Sequence, residues 1–322
     1  MCRSSSRTAS APATQLPAAP VFPSTGAGRQ RLRLYAHSID QYLQALWQRL
    51  GAPEGLCLLA VGGYGRGLLF PYSDLDLLLL RTPDCAAEDF VSRFLTVLWD
   101  AGFQVGASLR SIDETLEAAH SDVSVSTTLL ERRFLIGDRA PWRRLQQRLQ
   151  ESPPESITAF FAAKVAEQEA RHRRFRDTAY HLEPQIKDGP GGLRDVHQLL
   201  WLAGRVWQRP DLTMLKRAGI FDTQDLRQLR AAENFLTAVR IALHLRSRRS
   251  EDRLRLELQE TIANDLGLRA GRGRSAAERL MQKLYQAFAR IQQLAAVAEE
   301  GIAQYLATGT VGDSAKDLPE SP

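Results

Sequence analysis

Two carboxylates and a cluster of glycines are the part of this 322-residue sequence best equipped for chemistry. The run Ala60-Val61-Gly62-Gly63-Tyr64-Gly65-Arg66-Gly67 closes an apolar stretch with four glycines in six positions, and Tyr72-Ser73-Asp74-Leu75-Asp76-Leu77 follows it. Alternation along a strand turns Asp74 and Asp76 to one face and sends Leu75 and Leu77 to the core. Two like charges on one face repel and call for a cation. A divalent, oxygen-preferring ion such as Mg2+ would bridge them, keep several waters and take up substrate phosphates. Glycines let backbone N–H groups come close to a triphosphate, and Arg66 can pair with its oxygens. The combination describes metal-assisted nucleotidyl transfer, with in-line displacement at the α-phosphorus and loss of pyrophosphate. Each half alone is weak, since glycine clusters are common turns and Asp-x-Asp is commonly a solvated edge. Their joint occurrence, twelve positions apart from Gly62 to Asp74, carries the reading. The glycines lead into a polar loop and a further strand, which disfavours a dinucleotide-binding turn, and the absence of a following GK[ST] excludes a Walker A loop.

A second segment, Lys187-Asp188-Gly189-Pro190-Gly191-Gly192-Leu193-Arg194-Asp195, opens a helical pattern. Gly191 and Gly192 at a helix start predict free N–H groups suited to an anion, with Lys187 and Arg194 adding charge toward a triphosphate or an acidic partner loop. Asp195 is either a metal ligand or a stabiliser of the helix start; a tight turn with an internal Arg–Asp pair is the competing explanation. His172, His181, His197 and His244 show no metal spacing and read as core or surface histidines. Arg171, Arg173, Arg174 and Arg176 read as a solvated helix face that could receive the nucleotide if it turned toward the cleft.

The elements that must hold these residues divide the chain in two. Apolar residues recur at helical spacing from Arg29 to Leu50 and from Phe90 to Ala101; Leu56–Gly62, Leu75–Leu80 and Phe103–Arg110 read as strands, with Gly63–Ser73 as a loop. Ser111 and Glu114 have capping-box spacing. Beyond Pro153-Pro154 strand signals vanish, and five helical stretches follow: 157–176, 196–208, 222–249, 255–265 and 276–306. The Leu226, Leu229, Leu236, Val239, Leu243 stripe is their expected core. The predicted architecture is a 29–150 α/β domain followed by a 151–306 all-α domain for substrate or partner, between a Ser/Pro-rich disordered tail at 1–28 and a flexible tail at 307–322.

Composition limits the function classes. Lys and Arg number 42 against 37 Asp and Glu, a net charge of +5 spread among acids rather than gathered in a basic tail, so no nucleic-acid partner is expected. No apolar run reaches the roughly 18–20 residues that span a bilayer, so no membrane span is expected either. Cys2, Cys57 and Cys85 have no ligand spacing, which predicts a reducing cytoplasm and no structural zinc.

The run AVGGYGRGLLFPYSDLDLLLL resembles the nucleotidyltransferase signature of the bacterial PII uridylyltransferase (uridylyl-removing) family, within the DNA polymerase β-like superfamily. VGASLRSIDETLEAAHSDVSVSTTLLERRFLIGD, YHLEPQIKDGPGGLRDVHQLLWLA, LHLRSRRSEDRLRLELQETIANDLG and ERLMQKLYQAFARI match it further, in the same order. The resemblance implies a nucleotidyltransferase domain with a small mixed sheet and helices, followed by a helical domain. It implies Asp74 and Asp76 as catalytic ligands of Mg2+, UTP as donor, with ATP an alternative, and a tyrosine of a PII-type nitrogen regulatory protein as acceptor. The nucleotide-binding set becomes Gly62, Gly63, Gly65, Arg66, Ser73, Lys187, Gly191, Gly192 and Arg194. The superfamily usually adds a third carboxylate on a later strand; Phe103–Arg110 has none, Ala107 stands where the family has His, and Asp122 or Asp113 is left as substitute. Neither the HD-type hydrolase nor the ACT sensor domains of bifunctional members lie in the 322 residues, so transfer without removal is expected of a shortened protein or a fragment. A non-catalytic nucleotide- or PII-binding remnant is the alternative function.

Overall fold

The structure, a computed structural model, describes residues 18–175, 181–271 and 273–309. Most of the expected 1–28 tail, nearly all of the 307–322 tail and Arg176 therefore lie outside the described residues. The first helix, α1 (Gly28–Leu50), carries Ile39, Leu43 and Leu46 on one buried face and ends at Gly51, a left-handed C-cap. Just before it, Phe22 packs edge-on against Tyr35 at 5.2 Å.

Strand β1 (Leu56–Ala60) is followed by a single helical turn, α2 (Gly62–Gly65), then β2 (Leu75–Arg81), α3 (Glu88–Asp100) and β3 (Val105–Ser111). Next come α4 (Ile112–Ser121), α5 (Val123–Leu130), β4 (Arg133–Gly137) and α6 (Arg139–Glu151). The strands form one mixed sheet in the order β3-β2-β1-β4; β1 runs antiparallel to both of its neighbours, while β2 and β3 are parallel. The parallel pair needs a crossover, and α3 supplies it. Because β1 and β2 lie in the middle with both faces covered, they read as nearly unbroken apolar runs. Leu56, Leu58 and Leu77 pack toward α1 and α3, whereas Cys57, Leu59, Leu78 and Leu80 pack toward α4 and α6. Asp76 shares the parity of Leu78 and Leu80, so it stands at one end of that second face.

The remainder of the described chain is helical: α7 (Ile157–Arg174), α8 (Leu193–Val206), α9 (Thr213–Arg217), α10 (Thr223–Ser247), α11 (Leu256–Asp265) and α12 (Ala276–Thr308). Leu226, Leu229, Leu236, Val239 and Leu243 are all buried in one core with α8 and α12. Leu32 of α1 belongs to that core as well, and Arg29 reaches Glu233 of α10 at 2.8 Å, so α1 bridges the sheet and the helical half. No helix among the described residues is long and apolar enough to cross a membrane.

The structure corrects the sequence reading at several elements. The strand predicted to reach Gly62 stops at Ala60, and the start of the predicted loop is the helical turn α2, closed by the Gly65 N–H donating to the Val61 carbonyl at 2.9 Å. The Ser111–Glu114 capping box is present at α4. Strand β4 and helices α5, α6 and α9 had no counterpart in the prediction. Strand β4 has only Phe134, Leu135 and Ile136 between charged residues, too short a run to show a period, and it is a strand because β1 offers it an edge.

Candidate active site

A cavity of about 650 Å³ opens between the sheet's Asp76 end and the helices α7, α8 and α10. Gly62 and Gly63 form its floor together with Asp74 and Asp76. Gly62 sits at φ +56°, and a Cβ there would come within 3.0 Å of Asp76 Oδ2. Opposite Asp76 in the parallel register lies Gly106 of β3, where a Cβ would come 3.2 Å from Oδ1. The Asp76 carboxylate is thus flanked on both sides by bare backbone, and neither the Asp74 nor the Asp76 carboxylate has a hydrogen-bond or ion-pair partner among the described residues. Burial raises the Asp76 carboxyl above its ordinary value and the neighbouring Asp74 charge raises it further, against the pull of Lys187. Two unpartnered, mutually repelling carboxylates fit a Mg2+ ion held through one or two acidic groups, waters and phosphates.

No third carboxylate among the described residues joins them as a free ligand. Among the described residues no group of three or more His, Cys, Asp or Glu is arranged to hold a metal. Asp122 caps α5, accepting from the Ser124 N–H at 2.7 Å, and Asp113 pairs with Arg148 at 3.2 Å on the surface; neither lines the cavity. Glu131, just past α5, is the acidic group that the structure brings to this wall. Its buried carboxylate accepts from Arg66 and from the Trp201 indole N–H. Arg66 also lies 3.3 Å from His197 Nε2, and burial, then the charge of Arg66, hold that imidazole well below its ordinary pKa. A neutral His197 can accept from Arg66, so Arg66 reaches the cavity already anchored on two sides.

Two ties fix the glycine turn. Beneath it, the Tyr64 hydroxyl donates to Asp40 of α1 at 2.6 Å, and Arg133 of β4 pairs with the same carboxylate at 2.7 Å. The close fit extends to Gly65, where a Cβ would run into the backbone carbonyl of Glu131. Gly65 is buried and does not line the cavity, so its place is structural rather than at the nucleotide. Gly65→Ala is expected to cost about 1–3 kcal/mol through displaced backbone, measured by urea unfolding, and to loosen the Arg66–Glu131 contact beside it.

Downstream, Phe70 lies 4.0 Å beneath the Arg240 guanidinium, and His244 Nδ1 donates to the Pro71 carbonyl at 2.6 Å. Asp252 receives Arg240 Nε at 2.5 Å and lies 3.2 Å from His244 Nε2, so α10 fixes the chain two residues before Ser73. Burial would raise the Asp252 carboxyl, but the His244 hydrogen bond and the Arg240 charge outweigh it and hold it far below the ordinary range. A carboxylate with a depressed folded pKa stabilises the fold above its unfolded value and loses that contribution as pH falls through the folded one. Urea midpoints are therefore expected to hold steady from pH 7 to about 5 and to drop below about pH 4, near the ordinary aspartate value. Asp252→Asn should flatten that fall.

The Lys187–Asp195 segment is only half as predicted. Lys187 and Arg194 line the cavity. Burial, then the Arg240 and Arg194 charges, lower the Lys187 ammonium. Gly191 and Gly192, however, are buried with their N–H groups spent inside the turn, on Asp195 Oδ2 at 2.7 Å and on the Gly189 carbonyl at 2.8 Å. They offer nothing to an anion in the cavity. Asp195 is no metal ligand: Arg171 donates to it at 2.7 Å, His172 Nε2 stands 3.0 Å away, and Gln168 lies at the edge of hydrogen-bond range.

Of the predicted nucleotide residues, then, Gly62, Gly63, Arg66, Ser73, Lys187 and Arg194 share one cavity; Gly65, Gly191 and Gly192 stand behind it. Arg171 and Arg174 face it, whereas Arg173 is exposed and pairs with Glu169 at 3.7 Å. His197, read from the sequence as a core or surface histidine, is buried and also lines the cavity; Glu131, Lys164, Arg240 and the hydroxyls of Ser124, Thr127 and Thr128 carried no sequence expectation. The last three with Glu131 fall at helical spacing along α5, a signal that was available.

Comparison with known proteins yields a consistent pattern. Residues 159–298 match the family described as GlnD PII-uridylyltransferase. The chain is 41% identical over 265 residues to the bifunctional uridylyltransferase/uridylyl-removing enzyme of Chromobacterium violaceum, covering 82% of this chain and 31% of that protein. It is 38% identical over 280 residues to the enzymes of the same name from Burkholderia mallei and Burkholderia thailandensis, covering 86% of this chain and 32% of each of them. The chain thus spans about a third of the length of these curated relatives.

Proposed function

From its resemblance to the nucleotidyltransferase region of the bacterial PII uridylyltransferase/uridylyl-removing enzymes, we propose that this chain transfers a nucleotidyl group, UMP from UTP, to a tyrosine of a PII-type protein. The observation that carries the reading is the pair of aspartates with unpartnered carboxylates, Asp76 flanked by bare glycine backbone, facing Lys187, Arg194 and Arg66 across one cavity. Asp74 and Asp76 would hold Mg2+, which when bound polarises the phosphoryl group. Gly62 and Gly63 leave room for the triphosphate to lie against the backbone. Lys187 and Arg194 supply positive charge to the departing pyrophosphate, and Glu131 with His197 keeps Arg66 from collapsing onto the aspartates. In the transfer, the tyrosine oxygen bonds to the α-phosphorus, the bond to pyrophosphate breaks, and the phenol proton passes to solvent.

A second reading, a remnant that binds nucleotide or PII protein without turnover, has its own support. Ala107 stands in place of the family's His, and among the described residues no third carboxylate joins Asp74 and Asp76 in a metal-holding group. Incubating the purified chain with labelled UTP or ATP, Mg2+ and a PII protein separates the two. Label on the PII tyrosine, with UTP preferred over ATP, is the expected result. Nucleotide binding without any transfer would favour the remnant.

A further inference from the structure

Helix α5 has two working faces. Ser124, Thr127 and Thr128 line the cavity of the aspartates, whereas Ser126, Leu129 and Leu130 line a second cavity of about 470 Å³. That volume is within the range of small-molecule sites. The second cavity lies between α5, α6 and the start of α7, closed on the far side by the end of α8, and shares no lining residue with the first. Its lining is mixed: Leu129, Trp142, Leu149, Pro154 and Ile157 give it an apolar side, and Gln146, Gln150 and Gln208 add uncharged polar groups.

Two guanidiniums, Arg132 and Arg205, are the cations of this lining. Arg132 lies 5.6 Å over the Trp142 ring and donates through Nη1 to the Leu129 carbonyl at 2.6 Å, but no carboxylate pairs with it among the described residues. Arg205 donates to the Glu155 backbone carbonyl, and the Glu155 carboxylate lies 3.6 Å from it. The Nε atoms of both arginines are buried without a hydrogen-bond partner among the described residues. Burial lowers the pKa of both groups, as it does for a cation removed from water. Two guanidiniums against one lining carboxylate leave a single positive charge in a partly enclosed space with Trp142 on its wall. A buried guanidinium without a counter-charge is costly, and a bound anion is the direct compensation.

We propose that this second cavity binds a small monoanion with an apolar body, its carboxylate received by Arg132 and Arg205 and its hydrocarbon part lying along Trp142, Leu129 and Leu149. A single carboxylate matches the one uncompensated charge, whereas a phosphate dianion would exceed it. The site is separate from the aspartate cavity and does not depend on the function proposed for that cavity.

Sodium octanoate, titrated calorimetrically into the full chain, tests the assignment, with 1-octanol as the uncharged control. One octanoate per chain is expected, with octanol weaker by at least about tenfold, the loss of a charge-assisted hydrogen bond. Arg132→Gln and Gln146→Glu should each weaken octanoate by at least about tenfold. The second substitution adds a negative charge to the wall without removing a packed group, so it keeps the test decisive if the first variant fails to fold. Asp74→Asn, in the other cavity, should leave octanoate affinity unchanged. No octanoate binding up to about 10 mM, equal binding of octanol, or affinity unmoved by a folded wall variant would overturn the proposal.

Discussion

Asp74→Asn combined with Asp76→Asn is expected to lower nucleotidyl transfer by at least about a thousandfold, equivalent to about 4 kcal/mol of transition-state stabilisation. The melting temperature should not fall. Asparagine keeps nearly the shape of aspartate and removes only the charge that would hold the cation. In the fold that charge is a burden, because burial and the Asp74 charge raise the Asp76 carboxyl. A carboxyl whose folded pKa is raised binds its proton more tightly in the native state, so its ionised form opposes folding as pH rises through that value. At neutral pH the asparagines remove this cost. Transfer assays alongside thermal unfolding check both halves: activity lost with the transition retained supports the assignment, and activity retained would remove the aspartates from the chemistry.

The largest effect on stability is expected at Asp195. One buried carboxylate receives the Gly191 N–H, Arg171 and His172, and it ties α7 to the turn that opens α8. Burial would raise its pKa, but the His172 hydrogen bond and the Arg171 charge outweigh it and hold it low. Asp195→Ala leaves a buried guanidinium and an N–H without their acceptor, a loss of about 3–5 kcal/mol. Urea unfolding at pH 7 measures it. Since Lys187 and Arg194 leave the same turn toward the aspartates, nucleotide affinity should fall with stability in this variant, whereas the Asp74/Asp76 variant separates the two. A change below about 1 kcal/mol would mean that the turn is held by its backbone bonds alone.

The two cases differ in how far the sequence foretold them. Asp74 and Asp76 were legible because their relation is local: Asp76 lies on β2 and Asp74 directly precedes that strand, so the alternation of the extended chain puts them together. The same holds for the Ser111–Glu114 box and for the buried stripe of α10. Asp195 was legible as a residue at a helix start but not as the centre of a buried cluster, and the expectation that Gly191 and Gly192 would present free N–H groups failed, on Asp195 for the first and on the Gly189 carbonyl for the second. A helix N-terminus takes the nearest acceptor, and here Asp195, in the first turn, reaches back to Gly191.

Strand β4 and the cavity's cations were hidden for a different reason. Arg66 meets Glu131 across 65 positions, and Pro71 meets His244 across 173. Such pairs leave no period and no spacing in the chain, because their distance in sequence is unrelated to their distance in space. The sequence alone determined the α/β and helical halves, the glycine turn and the paired aspartates beside it, since each depends on neighbours close along the chain. Tertiary structure alone decided which of the many arginines face the aspartates, that Glu131 is tied to Arg66 and Trp201 rather than free for a metal, and that α5 separates two cavities. Those outcomes depend on packing between elements, and burial then determines which charges are left without a partner.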